Sequence, residues 1–450
     1  MGLDAVRWAH EGIIDLVTIT PFWETSDFNM PVRLWRRLLD GTNVTLAAGL
    51  EILVRPYHNG NMVYQTPETT TGAAVAALHG GADAIYLFNH FYDMPGQRTK
   101  MWGQAEAGKT LMKILIIGGT GLISTAITRF LVERGDDVTL YNRGQREVRT
   151  PPTKMIYGDR RDYAAFERQM AAAGTFDCVI DMICFLPEEA ESDVRAFKGR
   201  TGQFIFTSTV DVYTKPATRY PYTESEPLSG VSLYGKKKVV CESVFSAAHA
   251  REDLPVTIIR PAYTYGEGQS LLSWRGRDNY LIDRLRKGKP IISHGDGTPL
   301  WVCCHIDDAA RAYLGATGNA RSIGRAYHVT GEEWMTWDQY YKGIAGVLGA
   351  PSPNLVHIPS DLLAALAPKS GRTPVENFMF DNVFDNSAAR SDLGFRYTIT
   401  WKRGVARVVP WLESRGLVKN SDEDTLDDKI VAAWQSATAE MVEMVKGLDN

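Results

Sequence analysis

Tyr234 and Lys238 lie four positions apart and have side chains suited to proton transfer. On a helix, such a pair shares one face. Tyrosine, with an ordinary pKa near 10, is a poor base at neutral pH, but an ammonium about 4 Å away contributes roughly 4 kcal/mol at an effective dielectric of 20. We therefore expect Lys238 to lower the pKa of Tyr234 by about 3 pH units before desolvation opposes it, and Tyr234 to exchange a proton with a substrate hydroxyl.

The surroundings of this pair distinguish it from an ordinary surface pair of the Y-x-x-x-K type, which is common. The upstream segment FIFTSTVDVY ends a predicted parallel strand. It supplies Ser208 and Thr209 to hydrogen-bond the same substrate oxygen. This arrangement favours a catalytic group made of Thr209 or Ser208 together with Tyr234 and Lys238.

A glycine turn in ILIIGGTGLIS connects an apolar strand directly to a helix. Glycines allow positive φ angles and the close approach of a pyrophosphate, whose charge the helix N-terminus stabilises. Ser124 replaces the last glycine of the usual fingerprint and is small enough for close packing of helix on strand. A turn without ligand is disfavoured because the pattern lies in a βαβ unit. The predicted dinucleotide site comprises Gly118, Gly119, Thr120, Gly121, Leu122 and Ile123.

The end of the second strand, TLYNRGQ, bears on the choice of cofactor. A ribose-binding acid normally follows that strand, but the residues here are Asn142 and Arg143. An arginine there can pair with a 2′-phosphate, which favours NADP over NAD. The next element, YGDRRD, places Asp159 and Arg160 where they can meet the adenine. If Arg143 points to solvent, Arg146 or Arg160 can take its place.

The elements that must position these residues follow an alternating order from Lys113 onward. Short apolar strands alternate with helical patterns, which predicts an α/β fold with a doubly wound parallel sheet. After VTIIRPAYTYG the pattern loosens. We therefore divide this part into a dinucleotide-binding domain at 112–270 and a smaller, mainly substrate-binding lobe at 271–450, from which the strand AYHVTG returns to the sheet region.

The tail from Leu426 to Leu448 predicts an amphipathic helix. Its apolar stripe comprises Ile430, Trp434, Ala437, Met441 and Val445. Packing within the protein is the favoured role of this stripe.

Residues 1–111 have a βαβαβ pattern of their own, and Met112 looks like the start of a second protein. Polar residues cluster at the three strand ends, and this segment loosely resembles the closing strands of a glycoside-hydrolase-like (β/α)8 barrel. Three strands cannot close a barrel. We therefore interpret the chain as a truncated barrel segment fused to a complete second protein, and expect the segment to be non-catalytic. The polar residues are Glu24, Asp27, Glu51, Arg55, Asn89 and His90.

From Met112 to about Val418 the chain resembles the short-chain dehydrogenase/reductase superfamily, in its extended or atypical epimerase/dehydratase branch. The glycine turn, the strand-end Ser/Thr, the Tyr-Lys pair, RPAYTYGEG and HIDDAARAY occur in the family's order. The resemblance implies that Thr209 polarises the substrate oxygen, with Ser208 as the alternative. It also implies that Lys238 holds the nicotinamide ribose.

Departures from the family pattern narrow the range of expected substrates and reactions. Tyr263 and Trp301 replace an asparagine and an arginine that hold the nucleotide diphosphate in the sugar-nucleotide enzymes, so a diphosphate loses a principal partner. Val210 and Asp211 replace the Asp-Glu pair of the dehydratases, so the acid for eliminating water is absent. His305 near two aspartates suggests a metal, but a structural role at a helix start is favoured. No metal site is predicted.

Composition excludes other classes of protein. The formal net charge is −4, and no run of like charge suggests nucleic acid or an anionic membrane. The five cysteines lack C-x-x-C pairs, which predicts reduced thiols in a cytoplasmic protein. No stretch is apolar enough for a membrane span. The expected partner is a small, carbohydrate-like substrate. The sequence does not decide whether the protein forms a homodimer.

We therefore expect an NAD(P)-dependent oxidoreductase or epimerase acting on a secondary alcohol or ketone. One alternative is a non-catalytic dinucleotide sensor or RNA-associated protein, as in the atypical relatives that bind chloroplast RNA. Another places glycosidase activity in residues 1–111, with Glu24 and Glu51 as the evident carboxylate pair.

Overall fold

The computed structural model describes residues 4–20, 30–51, 53–54, 63–64, 67–88, 111–145, 150–151 and 153–446. The chain divides into two compact units, residues 1–111 and 112–450. Each unit has its own hydrophobic core.

The N-terminal unit contains a three-stranded parallel sheet. Its strands are Leu16–Ile19, Thr45–Glu51 and Ala84–Phe88, with Thr45–Glu51 in the centre. The other described elements are the helices Ala5–His10, Val32–Leu38 and Pro67–His79 and the antiparallel pair Leu53–Val54 and Val63–Tyr64. The predicted βαβαβ order is present, whereas the barrel resemblance stays a prediction. Outside the described residues and side chains lie Glu24, Asp27, Glu51, Arg55, Asn89 and His90.

The second unit is built on a seven-stranded parallel sheet. In chain order its strands are β1 (Lys113–Ile117), β2 (Asp137–Asn142), β3 (Lys154–Tyr157), β4 (Cys178–Asp181), β5 (Phe204–Thr207), β6 (Val256–Pro261) and β7 (Ala326–Val329). Their spatial order is β7-β6-β5-β4-β1-β2-β3. Every residue of β4, β5 and β6 is buried, as expected for strands covered on both faces. The predicted doubly wound fold is confirmed, and its strand order reverses between β1 and β4, where such sheets bind ligands.

Helices cover both faces of this sheet. One face carries Leu122–Glu133 and Ile306–Ala316. The other carries Tyr163–Ala173, Pro187–Phe197 and Leu233–Ala250. Helix Ile306–Ala316 and strand β7 both follow residue 270 in the sequence. The boundary at residue 270 therefore does not separate the two parts completely. A helix and a strand from 271–450, the range assigned to the lobe, belong to the sheet domain.

The lobe has an aromatic core that includes Trp301, Trp337, Tyr340 and Trp401. Its helices are Leu281–Arg286, Trp337–Leu348, Ser360–Leu366, Trp401–Ser414 and Leu426–Val445, with a 3₁₀ turn at Ser421–Glu423 and a π-helical turn at Pro374–Phe378. Helix Ser387–Leu393 packs instead on the sheet core through Ala389 and Leu393, and a further 3₁₀ turn lies at Ala320–Ser322. Its short strands are Thr264–Tyr265, Leu272–Ser273, Gly276–Arg277, Ile291–His294, Leu300–Val302, Cys304–His305, Trp334–Thr336 and Leu355–Ile358.

The predicted C-terminal helix is present at Leu426–Val445, but its stripe packs only in part. Ile430 and Trp434 lie in a small core, whereas Met441 and Val445 are exposed. The prediction that the stripe serves packing is therefore wrong for its second half, because no described element covers it. Within the described part of the chain, no helix has the length and apolar character needed to cross a membrane.

A chain that begins at Met112 is expected to fold without the preceding residues, because residues 112–450 form a compact unit around their own core. Urea denaturation should show a cooperative transition, and calorimetric titration should show binding of NADP(H) or NAD(H). Aggregation of the shortened chain, with the full chain well behaved, would show that residues 1–111 are needed to cover its core.

Candidate cofactor and catalytic site

Two cavities lie side by side at the carboxyl ends of the central strands. The first, of about 530 Å³, is lined by the glycine turn, the end of β2 and the loop after β3. The second, of about 380 Å³, is lined by Thr209, Tyr234 and Lys238. The residues that line both are Gly118, Gly121, Ile183 and Phe185. The predicted cofactor and catalytic residues therefore share one continuous cleft.

The glycine turn needs its glycines for conformation and for space. Gly118 has a φ of +85°, and a Cβ there would lie 2.5 Å from the side chain of Ile183. Ser124 Oγ accepts a hydrogen bond from Gly121 N (2.8 Å) and donates one to Gly118 O (2.9 Å). The serine at the last glycine position thus also ties the turn to the helix. Leu122 and Ile123 come directly after the glycine turn, at the start of the helix, and line the second cavity.

The end of β2 offers polar groups to a ligand. Asn142 is 8% exposed; its Oδ1 accepts a hydrogen bond from Thr120 Oγ1 (3.4 Å), and its Nδ2 is buried without a partner. Arg143 and Asp159 are exposed on the cavity wall. Arg143 has no ion-pair partner in the described part of the chain, so it is available to an anionic ligand. Arg146 lies outside the described residues.

Arg160 lines the same cavity, but its guanidinium is committed to the protein. Nη1 donates to Asp181, and Nη2 donates to Asp193 Oδ2 (2.9 Å) and to the carbonyl of Glu189 (3.0 Å). Arg160 is 4% exposed. Two buried carboxylates from other elements use the charge of Arg160, which disfavours it as a replacement for Arg143; its contact with the adenine stays a prediction.

The same carboxylates explain a cluster with the spacing of metal ligands. Among the residues that the structure describes, Asp181, Cys184 and Asp193 bring ligand atoms within 4.8 Å of one another. The guanidinium of Arg160 already pairs with both carboxylates and supplies the positive charge there. Burial raises the pKa of Asp193 well above its ordinary value, although Arg160 opposes this.

His305, the other residue considered for a metal, caps a helix. Its Nδ1 accepts a hydrogen bond from the backbone N–H of Asp307 (3.1 Å), at the start of Ile306–Ala316. The structural role favoured from sequence agrees with this geometry.

The first cavity fits a bound dinucleotide. The turn approaches a ligand without side chains, the start of Leu122–Glu133 presents backbone N–H groups, and Asn142 Nδ2 is a buried donor still without an acceptor. Arg143 adds a positive charge to the wall of this cavity.

Thr209 and Ser208 differ in their availability to a substrate. Ser208 is 2% exposed, and its Oγ donates to Glu242 Oε1 at 2.5 Å. Thr209 lines the second cavity and forms a side-chain hydrogen bond with Tyr234. The geometry therefore favours Thr209, as the resemblance implied, and gives Ser208 a structural role.

Tyr234 and Lys238 share a face of helix Leu233–Ala250, but their electrostatics differ from the expectation. Lys238 Nζ donates to the carbonyls of Thr207 (2.6 Å) and Cys184 (2.7 Å) and lies 6.0 Å from the centroid of the Tyr234 ring. Burial, followed by the charge of Asp211, raises the pKa of Tyr234 above its ordinary value, although the tyrosine stays 41% exposed. The predicted lowering by Lys238 is therefore wrong for this structure.

A third cavity, of about 310 Å³, continues from the second and contains groups that the sequence did not single out. It shares Thr209, Ala262 and Arg277 with the second cavity. Tyr263 and Trp301 line it, at the places where diphosphate-binding residues were expected in relatives. The groups missed from sequence are Arg277 and Asn377 here and Phe185 in the first two cavities; Asp211 also lines the third cavity and was noted in the sequence only as a departure from the family pattern.

Comparisons with known proteins agree with this geometry. Residues 114–330 match the model of the NAD dependent epimerase/dehydratase family. The sheet region thus matches the family that the sequence resembles. The chain is 30% identical over 259 residues to the chloroplast stem-loop binding protein of 41 kDa b of Arabidopsis thaliana, an alignment that covers 54% of this chain and 65% of that protein, slightly less than two thirds.

Two further relatives carry activities in their names. The chain is 27% identical to the 2′-dehydrokanamycin reductase of Streptomyces kanamyceticus, over 61% of this chain and 77% of the relative. The solved UDP-glucose 4-epimerase of Thermotoga maritima, bound to UDP-glucose, superposes with a TM-score of 0.56 at 20% identity, over 68% of this chain and 99% of the epimerase. At that identity the solved relative supports the fold alone.

Arg160→Gln is expected to destabilise the protein by about 3–5 kcal/mol, because it leaves two buried carboxylates without their cation. Urea denaturation measures this loss. Arg161→Gln is the matched control: its side chain is 66% exposed, 3.5 Å from Glu189, and the change should cost less than about 0.5 kcal/mol. Equal stability of the two variants, with cofactor affinity lost only in Arg160→Gln, would restore the ligand-binding interpretation.

Proposed function

We propose that residues 112–450 form an NAD(P)-dependent oxidoreductase or epimerase that acts on a secondary alcohol or ketone of a sugar-like small molecule. One observation carries this proposal: Thr209, Tyr234 and Lys238 line a cavity that continues from the glycine turn. The predicted proton-transfer groups therefore adjoin the predicted cofactor groups. The match of residues 114–330 to the NAD dependent epimerase/dehydratase family supports this pairing of a cofactor site with proton-transfer groups.

Each of the three side chains has a distinct role in this proposal. Thr209 and Tyr234, which hydrogen-bond each other, bind the same substrate oxygen. Lys238 supplies a positioned positive charge, because two of its three donors are fixed on backbone carbonyls. A nicotinamide bound in the cleft would accept or supply the hydride, with the glycine turn, Asn142 and Arg143 holding the dinucleotide.

The protonation of Tyr234 bears on the direction of reaction. Its raised pKa keeps the phenol protonated at neutral pH. A protonated phenol donates to a carbonyl oxygen, whereas oxidation of an alcohol requires a phenolate to accept a proton. The resting form of Tyr234 is therefore the form that serves reduction of a ketone.

The third cavity supports a polyhydroxylated substrate. Aromatic side chains of Tyr263, Trp301 and Phe378 line it together with polar Asn377 and Asn382. Apolar walls with a few fixed polar groups are typical of small-molecule sites, in which the polar groups orient the ligand. The relative named 2′-dehydrokanamycin reductase is consistent with a carbohydrate-like ketone as substrate.

The second candidate function is binding of a nucleic-acid stem-loop without catalysis. The name of the Arabidopsis relative favours it. The formal net charge of −4 disfavours it, since nucleic-acid affinity depends mainly on positive charge, and the chain retains Tyr234 and Lys238 in one cavity.

Tyr234→Phe is expected to reduce turnover by at least a hundredfold, because it removes the hydroxyl that transfers the proton. The assay follows NAD(P)H absorbance with a substrate found in a panel of polyhydroxylated ketones and alcohols. Cofactor affinity should stay within a few-fold. Ser208→Ala is the comparison: its hydroxyl is bound to Glu242, so its loss should lower stability and reduce turnover far less than Tyr234→Phe does. Near-normal turnover of Tyr234→Phe would contradict the mechanism, and stem-loop binding with no turnover would favour the second candidate.

Arg143→Ala is expected to remove most of a preference for NADP(H) over NAD(H). A guanidinium paired with the 2′-phosphate contributes roughly 1.5–3 kcal/mol, or some ten- to hundredfold in affinity. Titration of NADPH and NADH by tryptophan fluorescence measures this preference. Arg161→Ala is the control. Arg161 lines the same cavity beside Glu189, and its replacement should change the affinity for neither cofactor. Equal affinities of the unaltered protein for the two cofactors would contradict the assignment of Arg143.

A further inference from the structure

Arg277 lies where the second and third cavities meet. It is the last residue of strand Gly276–Arg277 and lines both cavities. Its Nη1 donates to the carbonyl of Ser270 (3.0 Å) and its Nη2 to the carbonyl of Thr264 (3.3 Å). The guanidinium carbon lies 5.6 Å from the centroid of the Tyr263 ring. These contacts fix the guanidinium without neutralising it.

Two arginines near Arg277 in the sequence are paired with acids. Arg275, two residues earlier, lies 3.0 Å from Asp424. Arg284 lies 2.7 Å from Asp428. Within the described ranges, Arg277 has no acidic side chain as a partner, and it is exposed. Because a guanidinium has five N–H donors, the two carbonyls leave others available to a ligand.

The remaining charges of the two cavities are already engaged. Asp211 Oδ1 accepts hydrogen bonds from Asn377 Nδ2 (2.9 Å) and from the buried Lys215 Nζ (3.3 Å). Lys238 donates to backbone carbonyls. Lys238 is 1% exposed and has one donor left, whereas Arg277 is exposed and has several, so among the described charged groups of these cavities Arg277 is the cation best placed to meet a ligand.

We propose that Arg277 binds an oxyanion of the substrate, a carboxylate or a phosphate, and that the substrate is an acidic derivative of a polyhydroxylated compound. This inference rests on the proposed function, since it places the substrate beside Thr209 and Tyr234. An anion on Arg277 lies in the third cavity or at its mouth, while the reacting oxygen lies in the second. A planar guanidinium recognises carboxylate and phosphate oxygens through two parallel hydrogen bonds, which gives orientation as well as affinity.

The test titrates the full-length protein, saturated with NADPH or NADH, with malonate, malonamide and inorganic phosphate at constant ionic strength. Malonamide has the shape of malonate without its charge. Quenching of tryptophan fluorescence reports binding, because Trp301 lines the third cavity. We expect saturable binding of malonate or phosphate and at least tenfold weaker binding of malonamide. Preference for malonate supports a substrate carboxylate, and preference for phosphate supports a phosphate.

Variants assign the binding to Arg277. Arg277→Gln should weaken anion binding at least tenfold, and Arg277→Lys should retain an intermediate affinity because it keeps the charge without the planar donors. Arg403→Gln is the matched control, since Arg403 is exposed, donates to a backbone carbonyl (3.5 Å) and lines neither cavity. It should bind anions as the unaltered protein does. Thermal melting and cofactor titration check that each variant is folded.

Two results would overturn the proposal: no saturable anion binding by the unaltered protein, or equal binding by folded Arg277→Gln. The titration needs no turnover, so Tyr234→Phe should bind anions normally. If the proposed oxidoreductase function is wrong, turnover would be absent while anion binding is intact. If the anion-binding proposal is wrong, anion binding itself would be absent or independent of Arg277.

Discussion

The position of helix Leu233–Ala250, which carries Tyr234 and Lys238, depends on a buried ion pair between Arg260 and Glu242. Arg260 belongs to β6, and its Nε and Nη2 donate to the two carboxylate oxygens of Glu242 at 2.9 and 2.6 Å. Both side chains are about 95% buried or more, so the desolvation of two charges is offset only by this two-point geometry. Glu242 follows Tyr234 and Lys238 at intervals of four residues, on the same helix face. The pair therefore fixes the rotation at which that face meets the cleft.

The same ion pair also positions the end of β5. Ser208 donates to Glu242, and Arg260 Nη1 donates to the hydroxyl of Tyr213 at 2.7 Å. Ser208 and Tyr213 flank the short turn that begins after Thr209. The chain on both sides of Thr209 is thus held by a network of buried side chains. The bond to Glu242 makes the hydroxyl of Ser208 less available to a substrate than that of Thr209, although both residues line the second cavity.

The features that could be predicted from the sequence are those that depend on residues close to one another along the chain. The glycine turn, the alternating strands and the four-residue spacing of Tyr234 and Lys238 each depend on neighbours within one βαβ unit or one helix, and all three are present as expected. The pairing of Arg160 could not be predicted, because its partners Asp181 and Asp193 come from two other elements. The pKa of Tyr234 also depends on burial and on Asp211, which no spacing rule reveals. Arg277 was missed for a related reason: an unpaired charge is recognised only when all possible partners have been placed.

Lys238 and Asp211 are held near Tyr234 by different contacts. Burial lowers the pKa of Lys238, but two short hydrogen bonds to carbonyls favour its charged form and hold the ammonium 6.0 Å from the centroid of the Tyr234 ring. Asp211 is held by Asn377 and Lys215, and its charge raises the pKa of Tyr234. The lobe contributes Asn377, so the arrangement of the lobe fixes a charge that acts on a residue of the sheet domain. The proton affinity of Tyr234 is therefore a property of both parts of residues 112–450, and a substrate that contacts Asn377 or Asp211 changes the chemistry at Tyr234 as well as its own position.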